Sequence, residues 1–571
     1  MTRLSIFEMV VQQDLTILVH DSSPRYKDMR PQLQRFATLI KHPAGIHTFK
    51  MTPLTLWNAA AAGMCAEDIT NTLEQYASWP IPTRAKQDIA LWMGRYGLFI
   101  LAGEDDAEAL RLVCRDQNLL ARFIHNSEIG TLFSGTLGAD AVSVPAKFRG
   151  RLKKEFARIG YPVIDQVGYQ DGESLVFALA TAEADDAAFQ LRDYQQEAVT
   201  AFTGGTHKLG GDGVIVLPCG AGKTIVGIGT MAQLQSETLI LTSNTTSVKQ
   251  WKREILEKTT LTDNKIGEYT GQSKEVRPIT IATYQMMTYR HAENEEFIHM
   301  RLFHERNWGL IIYDEVHLLP APVFRTTADL QATRRLGLTA TLVREDGCEQ
   351  DVFSLIGPKR YELPWRQLEE TGFIAKVSCA ELLVPMSAPL NERYIRAESR
   401  EKARLAGENI DKLRVIKELL ARHEKQPTLI IGQYLDQLRL IAAGIQAPLL
   451  TGSTPQEERQ RLYEQFRNKE IDVLVVSKVA NFAVDLPDAT VAIQVSGSYG
   501  SRQEEAQRLG RLLRPKSDGR QAYFYTLVSE HSKEQEYAMK RQLFLIEQGY
   551  QYDIVKEEQL HEYGTAACAD S

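Results

Sequence analysis

The chain has 571 residues, with 66 Lys+Arg against 73 Asp+Glu and a net charge of −7. At roughly 150 residues per domain this length asks for about three to five domains, and 43% apolar residues is enough to give each a core. The charge argues against a uniformly basic binder of polyanions but leaves room for a local groove. The six cysteines (65, 114, 219, 348, 379, 568) form no Cys-x-x-Cys pair and no Cys/His cluster, and no apolar run approaches a membrane span. A disulfide framework, a zinc ribbon and a membrane role are therefore not expected, and a reducing cytoplasm is.

Residues 1–97 mix strand-like pieces with helix signals: "MTPLTLWNAAAAGMCAEDITNTLEQYASWPIP" reads as turn, helix, loop, helix. The spacing predicts an N-terminal helical, winged-helix-like module. Residues 98–180 read as a small α/β domain. Within it "LFILAGE" is strand-like, "DDAEALRLVCRD" is expected to be helical and "ESLVFALA" is a closing strand. "KFRGRLKKEFARIGY" is a basic helix carrying Lys147, Arg149, Arg151, Lys153 and Lys154. From 190 onward short β-rich runs ("GVIVLP", "TLILTS", "ITIATY", "WGLIIYDE") alternate with helix-length stretches, and a second series begins near 413 ("PTLIIG", "APLLTG", "DVLVVS", "VAIQVS", "AYFYTLV"). That alternation predicts an α/β fold of two tandem domains with parallel sheets. The expected spans are 190–370 and 413–550, with 371–412 a linker or thumb-like segment and 551–571 a tail.

"LPCGAGKT", residues 217–224, follows an apolar strand and opens a helix. Gly220 and Gly222 allow the tight turn, and the backbone N–H groups with the helix N-terminus behind them form an anion site. Lys223 would reach the outer phosphates of ATP, and the Thr224 hydroxyl would ligate Mg²⁺. Leu217 stands where the strict pattern has its first glycine. The strand "LIIYDEVH" (310–317) ends in two carboxylates. Asp314 is placed to hold the metal and Glu315 to orient or deprotonate the attacking water. "AQRLGRLLRP" (506–515) sets Arg511 and Arg514 three residues apart on one helix face, a spacing suited to arginine fingers aimed at the γ-phosphate.

Together these stretches resemble the superfamily 2 helicases. "QRLGRLLR" (507–514) is similar to their sixth motif, "DEVH" to their second, "TAT" (339–341) to their third, and "LRDYQ" (191–195) to their adenine-side motif. The runs "LTATLVREDG", "TTSVKQW" (245–251), "YTG" (269–271), "TYQMM" (283–287) and "IHTFKMTPLTLWNAAAAG" (46–63) look like the XPB family in particular. The resemblance implies two RecA-like domains that close on ATP and step 3′→5′ along DNA, opening duplex in nucleotide excision repair. It implies nucleotide contacts from Arg192, Gln195 and Gln507, and nucleotide–DNA coupling through Asp485. It implies strand contacts from Thr245, Thr246 and Ser247, from Thr270 and Gly271, from Thr283, and from Thr451, Gly452 and Ser477. Arg344, Glu345 and Asp346 match the family's strand-separating element, and 98–180 the position of its damage-recognition domain, whose basic helix is either a face for duplex DNA or a solvated face. DNA, as single strand and junction, is the implied partner, together with a nuclease or another repair protein. Three other readings compete with unwinding: a DNA-stimulated ATPase that remodels without separating strands, a nucleotide-gated binding module, and a ribonucleoprotein remodeller, since the motif chemistry does not distinguish DNA from RNA. "VANFAVDLP" (479–487) departs from the family's usual fifth motif at Ala480 and Phe482.

Overall fold

The computed structural model describes residues 7–42, 45–104, 108–180, 189–204, 210–218, 220–290, 297–331, 333–340, 349–373, 375–477, 489–497, 521–547, 550 and 552–560. The chain divides into two compact units, Met1–Leu217 with Gly222–Glu362, and Pro218–Ala221 with Leu363–Ser571.

The first unit begins with a four-stranded antiparallel sheet in the order Met9–Val11, Thr16–His20, Ile46–Lys50, Thr38–Lys41. Helices Pro53–Ala61, Ala66–Tyr76 and Thr83–Arg95 follow it, so residues 1–97 carry a sheet beside the expected helices. The next five-stranded sheet runs Gly135–Thr136, Ala141–Pro145, Ala109–Cys114, Phe99–Gly103, Val163–Asp165. Here "EALRLVCRD" is a strand rather than the expected helix. Leu110, Leu112 and Cys114 are buried while Arg111 faces out, and that period of two outweighs the helix-forming residues before it. "ESLVFALA" forms no strand of this sheet. It makes isolated bridges, Ser174 to Ser236 and Leu179 to Thr259, along the parallel-sheet domain that follows.

That domain is built on seven parallel strands in the order Ile266–Tyr269, Ile279–Thr283, Thr238–Thr242, Leu310–Asp314, Arg334–Thr339, Asp212–Val216, Lys359–Glu362. Counting each sheet's strands in chain order, this is 3-4-2-5-6-1-7. The sheet of the second unit repeats the order with Val377–Val384, Thr428–Gly432, Leu449–Leu450, Val473–Ser477, Val491–Gln494, Ala522–Ser529 and Tyr552–Lys556 as its strands one to seven. Central strands such as Thr238–Thr242 and Thr428–Gly432 are buried at every residue, because helices cover both faces, and so they read as unbroken apolar runs. Two tandem RecA-like domains result, as the resemblance implies. The second sheet takes its first strand from the stretch expected as linker and its last from the expected tail. Buried Glu381, which accepts a hydrogen bond from Gln542, interrupts the apolar run that would have marked the first of these.

Helices Ala388–Arg396 and Ser399–Gly407 fill the thumb-like stretch. They are tied to the second unit by Ser529 Oγ donating to Ala406 O at 2.7 Å and Lys533 N donating to Tyr394 Oη at 2.9 Å. Just beyond them buried Lys412 donates to both carboxylate oxygens of Glu534, at 2.8 and 3.0 Å, and to Val495 O at 2.8 Å.

The basic helix Arg149–Arg158 turns much of its charge inward. Arg149 and Lys153 are each 5% exposed. Arg149 grips Asp165 through Nε and Nη2 at 2.8 and 2.9 Å, and Lys153 donates to Asp165 at 3.1 Å and to Gln331 at 3.0 Å. Lys154 pairs with Asp351 at 3.0 Å. Three of the five cations expected to face duplex DNA are thus engaged internally, and two of them, Lys153 and Lys154, fasten the small domain to the parallel-sheet domain. Arg360 donates to Asp212 Oδ1 at 2.7 Å, with Arg335 at 3.9 Å. Burial pushes the Asp165 and Asp212 carboxyls up, but the cations around them outweigh it and hold both below the ordinary value.

Asp165→Asn should leave two buried cations without their counter-charge, at a cost of about 3–5 kcal/mol. Urea unfolding, followed with proteolysis between the small domain and the sheet, measures it, and a midpoint equal to wild type would contradict a buried lock. Because the folded pKa values of Asp165 and Asp212 lie below the unfolded ones, their contribution is complete above about pH 4 and is lost as pH falls further. A thermal melt series from pH 6 downward should show the wild type losing stability in that range and Asp165→Asn losing less.

Candidate functional site

In a parallel sheet every strand delivers its following loop to one edge, where ligands bind. At that carboxyl edge the register aligns Val216 with Thr339, Asp314 with Leu338, Leu241 with Tyr313, Thr242 with Thr283, and Tyr269 with Ala282. The strand ends carrying the glycine loop, the two acids and the hydroxyl residues Thr270 and Thr283 therefore sit side by side.

Leu217 N donates to Thr339 O at 3.0 Å as the loop leaves the sheet. Gly220 and Gly222 have φ of 83° and 82°, a left-handed backbone that a side chain resists. Gly222 has a second reason to be glycine: a Cβ there would stand 2.6 Å from Gln195 Nε2. The adenine-side residue and the phosphate loop are thus in close approach. Gln195 is buried, and its Oε1 accepts from Arg192 N at 3.0 Å, while Arg192 Nη1 donates to Tyr194 Oη at 3.2 Å. Gly222 caps helix Lys223–Leu234, so Lys223 and half-buried Thr224 are its first two residues and their N–H groups stand at the positive end of the helix.

Lys223 Nζ lies 3.6 Å from Glu315 Oε1. Asp314 ends its strand and accepts from Trp251 Nε1 at 2.9 Å and Thr242 Oγ1 at 3.4 Å, while its carbonyl takes Tyr284 Oη at 2.9 Å. Burial, and then the neighbouring Glu315 charge, push the Asp314 carboxyl up to about 6, against the pull of Trp251 and Lys223. Glu315 sits at φ 51°, ψ 53°, a left-handed conformation that costs a non-glycine residue about 1–2 kcal/mol. Its Oε2 is buried with no hydrogen-bond partner, 3.5 Å from His317 Nδ1, and that same His317 nitrogen is 2.7 Å from Thr339 Oγ1. A crowded carboxylate pair, one with an unsatisfied oxygen, beside a threonine hydroxyl is a hard-oxygen donor set that suits Mg²⁺.

The hydroxyl candidates stand at strand ends or at the start of the helix that follows, and they differ in availability. Thr245 and Thr246 open helix Thr245–Lys258 and are exposed. Thr270 is buried and its Oγ1 accepts from Gln272 N and Ser273 N, at 3.2 and 3.3 Å. Thr283 is also buried and caps the helix Tyr284–Met287. In the second unit Thr451 aligns with Ser477, because Leu450 pairs with Val476, and Thr451 Oγ1 is 2.9 Å from Ser453 Oγ. Arg344, Glu345, Asp346, Asp485, Gln507, Arg511 and Arg514 lie outside the described residues.

Several residues at this edge went unread in the sequence. Trp251 orients Asp314, and it seats so closely on helix Lys223–Leu234 that a Cβ on Gly227 would stand 2.5 Å from its ring. His317 and Thr339 link the acids to the strand beside the loop, and Tyr284 holds the Asp314 carbonyl. The strings "TAT" and "DEVH" contained two of these residues, but no local spacing marks a tryptophan as the partner of an acid more than sixty positions away.

Residues 188–344 match the family described as type III restriction enzyme, res subunit, and residues 368–568 match the ERCC3/RAD25/XPB C-terminal helicase family. Residues 9–135 match a helicase conserved C-terminal domain description. Among curated proteins, the DNA 3′-5′ helicase XPB of Kineococcus radiotolerans is 50% identical over 552 residues, covering 97% of each chain. The protein of that name from Mycobacterium tuberculosis is 48% identical over 546 residues, covering 96% of this chain and 97% of that one. The general transcription and DNA repair factor IIH helicase/translocase subunit XPB/SSL2 of Saccharomyces cerevisiae is 31% identical, covering 95% of this chain and 71% of that one. Half the residues shared along nearly the entire length leave one assignment, and the chain belongs to the XPB family of DNA helicases.

Proposed function

We propose that the chain hydrolyses ATP to move 3′→5′ along one strand of DNA and to open duplex during repair, a reading supported by bacterial relatives named DNA 3′-5′ helicase XPB. The observation that carries this reading is Lys223 Nζ standing 3.6 Å from Glu315 Oε1 at a shared carboxyl edge. A lysine and a carboxylate so placed bracket the position of a terminal phosphate and its attacking water.

In this reading the loop N–H groups of Gly220 to Thr224 hold the phosphates, and Arg192 and Gln195 face the base. Thr224 and Asp314 hold Mg²⁺, which when bound neutralises phosphate charge. Glu315 accepts the proton of the attacking water, and Lys223 stabilises the charge on the transferred group. Arg511 and Arg514 complete that charge stabilisation, with Gln507 and Asp485 coupling nucleotide to DNA. Thr245, Thr246 and Thr451 bind phosphates of the tracked strand through hydroxyls and backbone, without reading sequence. Buried Thr270 and Thr283 shape the loops beside them, so their contribution is the backbone they position. Arg344, Glu345 and Asp346 part the strands at the junction. Of the basic helix, Lys147 and Arg151 remain for duplex DNA, since the other three cations are engaged internally. A nuclease or another repair protein as partner, and a cytoplasmic setting, complete the proposal. Among the described residues no helix is long and apolar enough to cross a membrane.

ATP turnover measured with single-stranded DNA, duplex DNA and RNA, alongside displacement of 3′- and 5′-tailed duplexes, tests this reading. Turnover without displacement of either would support a remodelling ATPase instead. Lys223→Ala should bring turnover to background with circular dichroism unchanged, and surviving activity would remove the assigned nucleotide site. Arg344→Ala should lower strand displacement by about tenfold or more, the worth of one charge-assisted phosphate contact, while ATP turnover changes little. Equal loss of both would contradict a strand-separating role.

A further inference from the structure

Beside the hydroxyl row stands an aromatic residue that the nucleotide chemistry does not use. Tyr289 follows the short helix Tyr284–Met287, itself capped by Thr283, and is 45% exposed. Isolated exposed aromatics are common and by themselves mean little. This one is fixed from beneath. Its ring lies 5.9 Å from that of His299, tilted by 38°. His299 is 5% exposed, lies edge-on to Tyr269 at 5.4 Å, and has Nδ1 2.8 Å from the Tyr269 hydroxyl. Tyr269 is itself buried and is the residue before Thr270. Three rings thus run from the core outward, and the only one of them exposed stands where the strands ending at Tyr269 and Thr283 lie side by side.

Such a stack restricts the outer ring before anything binds, so a planar group laid on it loses less entropy than the same group on a free side chain. The neighbouring strand ends offer hydroxyl and backbone groups for phosphate, and the next residue, Arg290, adds a cation held over Phe297 at 5.4 Å. Phosphate contacts with an adjacent fixed aromatic face are the parts of a single-strand site, since every base has a π-face to stack. Resting on the strand-tracking function proposed above, we infer that Tyr289 is a stacking platform for a base of the bound single strand.

Fluorescence anisotropy of the full chain with labelled oligo(dT), and with an oligonucleotide of equal length carrying abasic tetrahydrofuran residues, separates stacking from phosphate binding. Wild type should bind oligo(dT) more tightly than the abasic strand. Tyr289→Ala should weaken oligo(dT) binding by about 5- to 100-fold, leave abasic affinity and melting temperature unchanged, and so erase the preference. Tyr289→Phe, which keeps the ring, should retain it. Unchanged oligo(dT) affinity in Tyr289→Ala, or equal loss on both probes, would overturn the assignment while leaving strand binding intact. Wild type that binds neither probe would overturn strand tracking together with it.

Discussion

The chemistry of this protein depends on the register of one parallel sheet. Five strand ends, those of Ile266–Tyr269, Ile279–Thr283, Thr238–Thr242, Leu310–Asp314 and Asp212–Val216, deliver their loops to one edge. Side chains alternate along a strand with a period of two, so a slip by one residue would turn Asp314 away from the helix that carries Lys223. The backbone pairing along the row holds that register, aligning Leu310–Asp314 with Arg334–Leu338 and Asp212–Val216 with Arg335–Thr339. The residues with chemical roles are therefore held by a core in which they take little part.

That edge gathers strain and crowded charge. Two adjacent carboxylates share one lysine, and Glu315 keeps a left-handed backbone with one buried oxygen unsatisfied. Strain and a perturbed carboxylate gathered at one point mark a candidate functional site. The restraints lie around it: Trp251 on Asp314, Tyr284 on the carbonyl, and His317 on Thr339. Thr339 accepts from Leu217 N through its carbonyl and meets His317 through its hydroxyl. A displacement of the acids is thus felt at the start of the phosphate loop through two hydrogen bonds and one residue. On the roles proposed above, that is a physical route by which the state of the phosphate would reach neighbouring strand ends and their hydroxyls.

Much of this was legible in the sequence because each piece is local. A strand, a glycine turn and Lys223 lie within a few residues, as do an apolar strand and its two terminal acids. Their adjacency followed once the alternating pattern implied a parallel sheet. What could not be read was set by tertiary partners. The run "EALRLVC" has residues suited to a helix and a strand's alternation, and only the neighbouring strands decide between them. The first strand of the second sheet hides behind Glu381, whose burial depends on Gln542. The basic helix reads as an exposed cationic face until Asp165 and Asp351 are seen beneath it.

That inward use of charge bears on how the protein holds DNA. Asp212 opens the strand whose far end leads into the phosphate loop, so the lock formed by Arg335 and Arg360 grips that strand at the edge opposite the nucleotide. The same arrangement withdraws cations from the surface of a chain that already carries a net charge of −7. Attraction of a polyanion by a broad positive field is then weak, and phosphate must be held at short range by hydroxyl and N–H groups at strand ends and helix starts. Contacts of that kind depend on the position of a strand end to within an ångström or so. On the proposed function, weak long-range attraction and position-sensitive short-range contacts would together let a nucleotide-driven shift release and regrip a strand, where a strongly basic groove would hold it throughout.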